Sequence, residues 1–229
     1  MGEFDVSKFV EKIFSPFLNQ GEHPMIFTEY PFWIFFLVVL AGYSLFHKRL
    51  RVRSLFLFLV SIYFYYKTSG FFFSILLFST ILDFVIGERI YRNLDGLKAT
   101  LWLAVSITIN LTLLVYFKYA YFFADSFNAI FDSSWHPINH FALATNKLVG
   151  STFRVDQILL PIGISFYTFQ TMSYAIDIYR KKLKPVSHVI DFAFYVSFFP
   201  QLVAGPIVRA SEFIPQIYKP YTVTKKEFG

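Results

Sequence analysis

Six apolar runs follow one another along the chain, separated by short polar or basic segments. They occupy residues 31–46, 54–66, 71–86, 99–117, 158–178 and 189–204. A perpendicular membrane span needs about 20 residues, with about 17 as the lower limit. Several runs are shorter than this unless flanking Tyr, Trp and Lys side chains extend them. The pattern therefore predicts an all-α, polytopic transmembrane protein with about six membrane-embedded helices, some of them short or half-buried.

Residues 4–17 show a different pattern, in which apolar positions recur on one helical face. Lys8, Glu11 and Lys12 lie on the opposite face. Such a pattern is typical of an amphipathic helix lying in the membrane interface rather than crossing it. The sequence thus divides into 1–24, an interfacial helix with its linker, and 25–229, a membrane domain.

Basic residues concentrate in alternate loops. If the six helices alternate in direction, loops 47–53, 87–98 and 179–188 share one side, and they hold 11 of the 21 Lys and Arg residues. The positive-inside rule makes that side cytoplasmic. The N-terminus and the loop 119–157 are then predicted to be extracytoplasmic, with residues 119–123 continuing the fourth helix.

Composition supports the membrane class and removes some chemistry. Hydrophobic residues make up 55% and charged residues only 16%, against about 25% charged in soluble domains. Cysteine is absent, which excludes disulfides, thiolate nucleophiles and cysteine zinc sites. The net charge of +6 arises in loops between apolar runs, so we expect membrane lipids rather than nucleic acid as partners.

Histidine offers little chemistry in this sequence. His136 and His140 are four residues apart, the spacing at which a helix presents two metal ligands on one face. No third ligand lies close by, so two surface imidazoles in a loop are the alternative, and no metal site is predicted. No histidine falls within a predicted span, so a Ser-His-Asp arrangement is not assembled.

Polar residues inside apolar runs are more informative, because they cost energy in a membrane and face the bundle interior. Asp83 and Asp177 lie near the predicted cytoplasmic edge, where pairing with Arg89 or Arg180, exposure to interfacial water and a functional role all remain open. Asn110 lies in mid-run and predicts a hydrogen bond between helices.

Two stretches combine helix breakers with polar groups. In LLPIGISFYTFQTMSYAIDIYR (159–180), Gln170, Ser173 and Asp177 form a polar stripe that either lines an interior cavity or bonds neighbouring helices. In SFFPQLVAGPIVRASEFIPQI (197–217), prolines and glycine break the helix, and the freed backbone must be buried in protein or line a cavity. This second stretch predicts a broken or re-entrant segment, and the fork of donors on Arg209 suits a carbonyl, a phosphate or a headgroup.

These two stretches resemble the membrane-bound O-acyltransferase family. LPIGISFYTFQ and FFPQLVAGPIVR carry the resemblance, NLTLLVYFKYAYFF (110–123) fits the same family, and the match runs from about Tyr30 onward. The bacterial branch concerned acts in alginate O-acetylation and in D-alanyl transfer to teichoic acids. The resemblance implies a bacterial cytoplasmic-membrane enzyme that passes an acyl group, expected to be acetyl, to a hydroxyl of an extracytoplasmic polysaccharide such as alginate.

The resemblance also implies where the chemistry lies. A membrane-embedded tunnel with a histidine as general base is expected, together with an acyl donor such as acetyl-CoA or an acyl carrier, a possible partner acetyltransferase and no permanently bound cofactor. The residues expected to line the tunnel are Gln170, Ser173, Asp177, Pro200, Gln201, Gly205, Pro206 and Arg209. The family's histidine lies in its second half, so it is expected beyond Gly229, with this chain an inactive fragment of the enzyme.

Two other functions fit the same residues. A transporter or flippase of acyl or polysaccharide precursors also uses broken helices and midplane polar groups, but it predicts two symmetry-related halves, and no internal repeat is visible. A non-catalytic membrane scaffold is the third possibility.

Overall fold

The computed structural model describes Ser15 and residues 28–150 and 153–219, and every regular element in these ranges is helical. In chain order the helices are α1 (Tyr30–Phe46), α2 (Leu50–Ser69), α3 (Phe73–Arg92), α4 (Leu97–Leu114), α5 (Ala120–Phe131), α6 (His140–Val149), α7 (Ile164–Tyr179), α8 (Val189–Ser197), α9 (Phe199–Ala204) and α10 (Ala210–Ile217). The all-α prediction is confirmed. The amphipathic helix predicted at residues 4–17 lies outside the described residues except for Ser15.

Two helical segments are long and apolar enough to cross a membrane. They are Leu50–Arg92 and Leu97–Phe131, while Tyr30–Phe46 and Val189–Leu202 are apolar but shorter. The apolar runs of the sequence thus form helices, and the count of six membrane-embedded helices stays a prediction.

The first long segment changes direction at Gly70. This residue has φ +59° and opens a 3-10 turn, Gly70–Phe72, between α2 and α3. Glycine adopts this backbone conformation without the strain that a Cβ atom adds. The gap between the second and third apolar runs therefore marks a real break between two helices.

The second long segment continues without a break. A π turn, Val115–Tyr119, joins α4 to α5, so the predicted continuation through residues 119–123 is confirmed and extends to Phe131. The aromatic rings of Phe122, Phe127 and Phe131 on α5 are 46–65% exposed.

The core lies where α3 and α7 pack together and where α8 covers them. The approach is close at Gly87, where an added Cβ atom would lie 2.5 Å from the ring of Tyr174. That ring in turn packs at a tilt against Phe192 of α8, with a centroid distance of 4.3 Å. Phe199 of α9 contacts aromatic rings of α1 and α2, including Phe64 at 5.2 Å. The broken segment is thus anchored in the bundle by large buried rings.

Contacts between loops identify the two ends of the bundle. At one end, Lys181 Nζ lies 2.6 Å from Asp95 Oδ1, and Arg51 Nη2 lies 3.5 Å from His188 Nε2. At the other end, Tyr65 donates to the carbonyl of Ile162 at 2.6 Å. The three basic segments that were expected to share one side therefore lie together at one end.

The segment 119–157 contains a helix, α6, that the sequence pattern did not indicate. Asn139 caps α6, because its side-chain oxygen accepts from the amide of Ala142 at 2.9 Å. His140 is the first residue of α6 and His136 precedes it, so a metal-binding pair on one helical face does not form. Both side chains are exposed, and no group of three potential ligands occurs in the described ranges.

Candidate functional site

The polar stripe predicted on α7 faces the broken segment formed by α8, α9 and α10. Gln170 Nε2 donates to Gln201 Oε1 of α9 at 3.2 Å. Further along, Asp177 Oδ2 accepts from the hydroxyl of Ser211 on α10 at 2.7 Å. The structure therefore brings residues from both motifs together into one row, which we call the polar row: Gln170, Ser173, Asp177, Tyr195, Gln201 and Ser211.

Tyr195 occupies the middle of the polar row and was not predicted from the sequence. Its hydroxyl donates to the carbonyl of Val208 at 3.0 Å and lies 3.4 Å from both Ser173 Oγ and the carbonyl of Gln170. Ser173 itself donates to that same carbonyl of Gln170 at 2.8 Å. A tyrosine within the aromatic run 192–199 gives no periodic signal, so only the fold reveals that it joins α7 to the extended backbone.

The break in the helix occurs at Phe198, two residues before Pro200. Phe198 has ψ 107°, and Pro200 then sits in the first turn of α9, where its missing N–H costs no helical hydrogen bond. Gly205 ends α9, and its amide donates to the carbonyl of Gln201 at 3.1 Å. The helix is thus interrupted near the predicted breakers, and residues 206–209 follow as irregular backbone. A re-entrant course through the membrane stays a prediction.

Pro206 and Arg209 lie at the exposed edge of this irregular backbone. The carbonyl of Arg209 accepts from the amides of Glu212 and Phe213 at 3.0 Å, which starts α10. Its guanidinium forms no ion pair with any described residue. The backbone of Arg209 is thus structural, and its five side-chain donors remain available to a ligand.

Gly163 fixes where the two motifs meet. Its φ of +75° ends the irregular entry to α7, and an added Cβ atom would lie 2.8 Å from the carbonyl of Leu202 in α9. The predicted disruption at the entry of the fifth run is therefore a close backbone contact with the broken segment.

A second polar network lies on the other side of α7. Asp83 is fully buried and accepts from Ser106 Oγ at 2.5 Å and from Asn110 Nδ2 at 2.7 Å. Asn110 Oδ1 accepts in turn from Ser79 at 3.0 Å and from Thr171 of α7 at 3.1 Å. The hydrogen bond between helices predicted for Asn110 is confirmed.

The proposed pairings of the two aspartates with arginines are wrong. Asp83 bonds Ser106 and Asn110 rather than Arg89, and Asp177 bonds Ser211 rather than Arg180. Both aspartate residues are at most 5% exposed. The sequence placed them near the edge of the membrane, but neighbouring helices pack over both positions. The pairs Ser79–Asp83 and Ser106–Asn110, each one helical turn apart, were the available signal for this network.

Some buried polar atoms on α7 and α8 have no protein partner in the described part of the chain. They are Gln170 Oε1, the hydroxyl of Tyr167 and Ser197 Oγ. Buried polar groups in native proteins are nearly always hydrogen-bonded, to water where not to protein. These atoms could therefore bind water or the polar groups of a ligand.

Titratable groups suited to proton transfer are sparse around the polar row. Among the described histidines, His47 and His136 contact backbone carbonyls nearby in sequence, and His188 lies beside Arg51. Asp177 is the acid of the polar row. The described residues thus supply hydrogen-bonding walls and one carboxylate, and a base–nucleophile pair is not formed among them.

The chain is similar to bacterial proteins named as O-acetylases or O-acetyltransferases. A probable alginate O-acetylase (AlgI) of Pseudomonas aeruginosa is 36% identical over 203 residues, which are 88% of this chain and 36% of the relative. The corresponding protein of Azotobacter vinelandii is 35% identical over 88% of this chain and 38% of the relative. A peptidoglycan O-acetyltransferase of Helicobacter pylori is 30% identical over 71% of this chain and 32% of the relative.

The chain spans about a third of the length of these curated relatives. No family profile matches the chain, and no solved structure is significantly similar to it. The aligned region nevertheless includes most of the chain, at 30–36% identity to proteins named as O-acetyltransferases. By this homology the chain belongs to the membrane-bound O-acyltransferase family.

Proposed function

We propose that this chain forms part of an O-acetyltransferase that modifies hydroxyl groups of an extracytoplasmic polysaccharide such as alginate. The observation that carries the proposal is the polar row, in which α7 faces a broken helix within a region homologous to O-acetyltransferases. Irregular backbone at membrane depth is tolerated where it is buried or lines a cavity. A passage for an acyl group through the membrane domain would be such a cavity.

In this proposal the row forms one wall of the passage. Pro200, Gly205 and Pro206 supply the irregular backbone, while Gln170 and Gln201 supply amide groups. The unpartnered hydroxyl of Tyr167 is a donor suited to the carbonyl of an acyl group. The donor is acetyl-CoA or an acyl carrier, and a general base from the complete protein activates the acceptor hydroxyl.

Tyr167→Phe tests this wall sharply. The phenol oxygen is buried without a protein partner, so its removal is expected to leave stability unchanged or slightly raised. If that oxygen serves the acyl group, the acetyl content of the polymer falls although the protein accumulates normally. The measurement is the acetyl-ester content of purified polysaccharide by proton NMR in the strain carrying the variant.

Tyr91→Phe is the matched control, because Tyr91 is 40% exposed on α3. A second pair compares Arg209→Gln with Arg92→Gln, whose side chain is an exposed partner of Glu88. Acetylation that is unchanged in both Tyr167→Phe and Arg209→Gln would contradict the proposed passage.

We also propose that the bundle spans a bacterial cytoplasmic membrane with about six embedded helices and with the basic end inside. The clustering of the loops around Lys181 and Arg51 at one end supports this orientation, since cytoplasmic loops are rich in Lys and Arg. The natural chain has no cysteine, so single cysteines report topology without background. Ala129→Cys is expected to react with an impermeant maleimide in intact cells, and Lys182→Cys only after permeabilisation. The reverse pattern would overturn the orientation.

A further inference from the structure

A cavity of about 370 Å³ opens between α1, α2 and the broken segment, near the end of the bundle that carries the basic loops. Its size falls within the range of small-molecule sites in proteins. The walls are apolar and mainly aromatic, and include Phe36, Val39, Leu40, Leu57, Phe194 and Phe198. This apolar groove suits a hydrocarbon chain.

Arg53 lines the apolar groove and is its unusual feature. The side chain is on α2, only 6% exposed, and an Nη atom donates to the carbonyl of Ile217 at the end of α10. No carboxylate of the described residues forms an ion pair with it. A buried cation without an anion is costly, so the groove has a strong preference for a negatively charged occupant.

The rim of the groove adds positive charge. Lys219 is exposed and lines the cavity beside Ile217. Lys48, Arg49 and Arg51 precede Arg53 in the sequence, and no acidic residue occurs in the first turn of α2. The ligand that complements this site has an anionic head at Arg53 and an apolar tail along the aromatic walls.

We propose that the apolar groove binds an anionic phospholipid, with its phosphate at Arg53 and an acyl chain between α1 and α8. The guanidinium has five N–H donors, so one bond to Ile217 leaves several for phosphate oxygens. Basic pockets between membrane helices on the cytoplasmic side bind anionic headgroups in this way. This lipid site is separate from the polar row and does not depend on the acetyl-transfer proposal.

The test reconstitutes the whole chain in nanodiscs of phosphatidylcholine with increasing phosphatidylglycerol and measures the thermal unfolding midpoint. A ligand that binds only the folded state raises stability with its concentration. We expect phosphatidylglycerol to raise Tm by roughly 2–4 °C relative to phosphatidylcholine. Native mass spectrometry is expected to retain one phosphatidylglycerol per chain.

Two variants separate the head from the tail. Arg53→Gln keeps an N–H for the carbonyl of Ile217 but removes the charge, and Leu40→Trp obstructs the groove from a position that is 45% exposed. Both are expected to lose the phosphatidylglycerol shift. Leu101→Trp, at a position 64% exposed on α4, is the control that keeps it.

Three outcomes would overturn the proposal. Equal midpoints in the two lipids would show that the groove does not select an anionic headgroup. A full shift from inorganic phosphate alone would indicate an anion site without a lipid tail. A lower midpoint for Leu40→Trp in pure phosphatidylcholine, with no lipid dependence in the natural chain, would indicate that protein covers the groove. If Arg53→Gln fails to fold, Leu40→Trp and Leu101→Trp still decide the result.

Discussion

Replacing Asn110 with leucine removes the centre of the network that joins α3, α4 and α7. The amide donates to Asp83 and to the backbone carbonyl of Ser106, and it accepts from Ser79 and Thr171. Leucine has a similar size and none of these bonds. Asn110→Leu therefore tests whether polar contacts hold these three helices together.

The expected loss follows from the bonds that cannot be replaced. Thr171 keeps a second acceptor, the carbonyl of Thr168 at 3.1 Å. Ser79 loses its bond to Asn110, and Asp83 Oδ2 loses Asn110 as a donor. Each buried unsatisfied group costs about 1–3 kcal/mol, and hydrogen bonds between membrane helices average about 0.6 kcal/mol. Four bonds at the second figure amount to about 2.4 kcal/mol, and one or two unsatisfied groups at the first amount to about 1–6 kcal/mol. We therefore expect a destabilisation of roughly 2–4 kcal/mol.

The assay is unfolding of the whole chain by SDS in mixed micelles, followed by far-UV circular dichroism. Asn93→Leu is the control, because Asn93 is half-exposed at the end of α3 and its side chain donates to one backbone carbonyl. That variant is expected to change the free energy of unfolding by less than about 0.5 kcal/mol. Ser79→Ala should then cost less in the Asn110→Leu background than in the natural chain, because the pair interacts directly. Equal losses for Asn110→Leu and Asn93→Leu would refute the importance of the network.

Three further substitutions probe close contacts, each by thermal unfolding. Gly163→Ala should lower stability by about 2 kcal/mol or more, because it combines a positive φ with a backbone clash. The control Gly150→Ala also has a positive φ, +70°, but meets open space, so it should cost only about 1 kcal/mol. Equal losses in the two variants would contradict the close contact at Gly163. Gly87→Ala places a methyl group against a buried ring and should cost about 1–3 kcal/mol, while Gly96→Ala meets its nearest atom at 3.4 Å and should be neutral. Tyr195→Phe removes the hydroxyl that bonds the backbone before α10 and should cost about 1 kcal/mol, and an unchanged Tm would show that the bond does not stabilise the broken segment.

Hydropathy predicted most of the helical elements, because the signal for each helix lies within its own apolar run. The fourth run, for example, predicted α4 and its continuation, and the breakers at residues 200–206 predicted the interruption after α8. Local sequence could not determine that α7 carries polar groups on two faces, with Thr171 towards α4 and Gln170 towards α9. Adjacent residues on a helix are about 100° apart, so such neighbours serve different partners.

The candidate site was predicted residue by residue rather than as a set of contacts. Gln170, Asp177 and Gln201 were selected because polar groups in apolar runs are costly, and they belong to the polar row. Tyr195 was missed because a periodicity analysis counts tyrosine as an apolar residue. Its hydroxyl, however, makes the hydrogen bonds that place it in the polar row. The partners of Asp83 were missed because serine is common in membrane helices and gives no signal by itself. Only the fold brings Ser106 and Asn110 to this carboxylate.

The uninterrupted segment Leu97–Phe131 has a consequence for how the protein meets its surroundings. At 1.5 Å per residue its 35 residues measure about 52 Å, against about 30 Å for the hydrocarbon layer of a bilayer. The surplus falls on α5, whose phenylalanine rings are exposed and suit the interfacial layer better than water. Helix axes commonly bend at π turns, and a bend at Val115–Tyr119 would let α5 lie along the membrane surface. In the proposed O-acetyltransferase, a polymer that reaches this end of the bundle would then approach along these exposed aromatic rings, parallel to the bilayer.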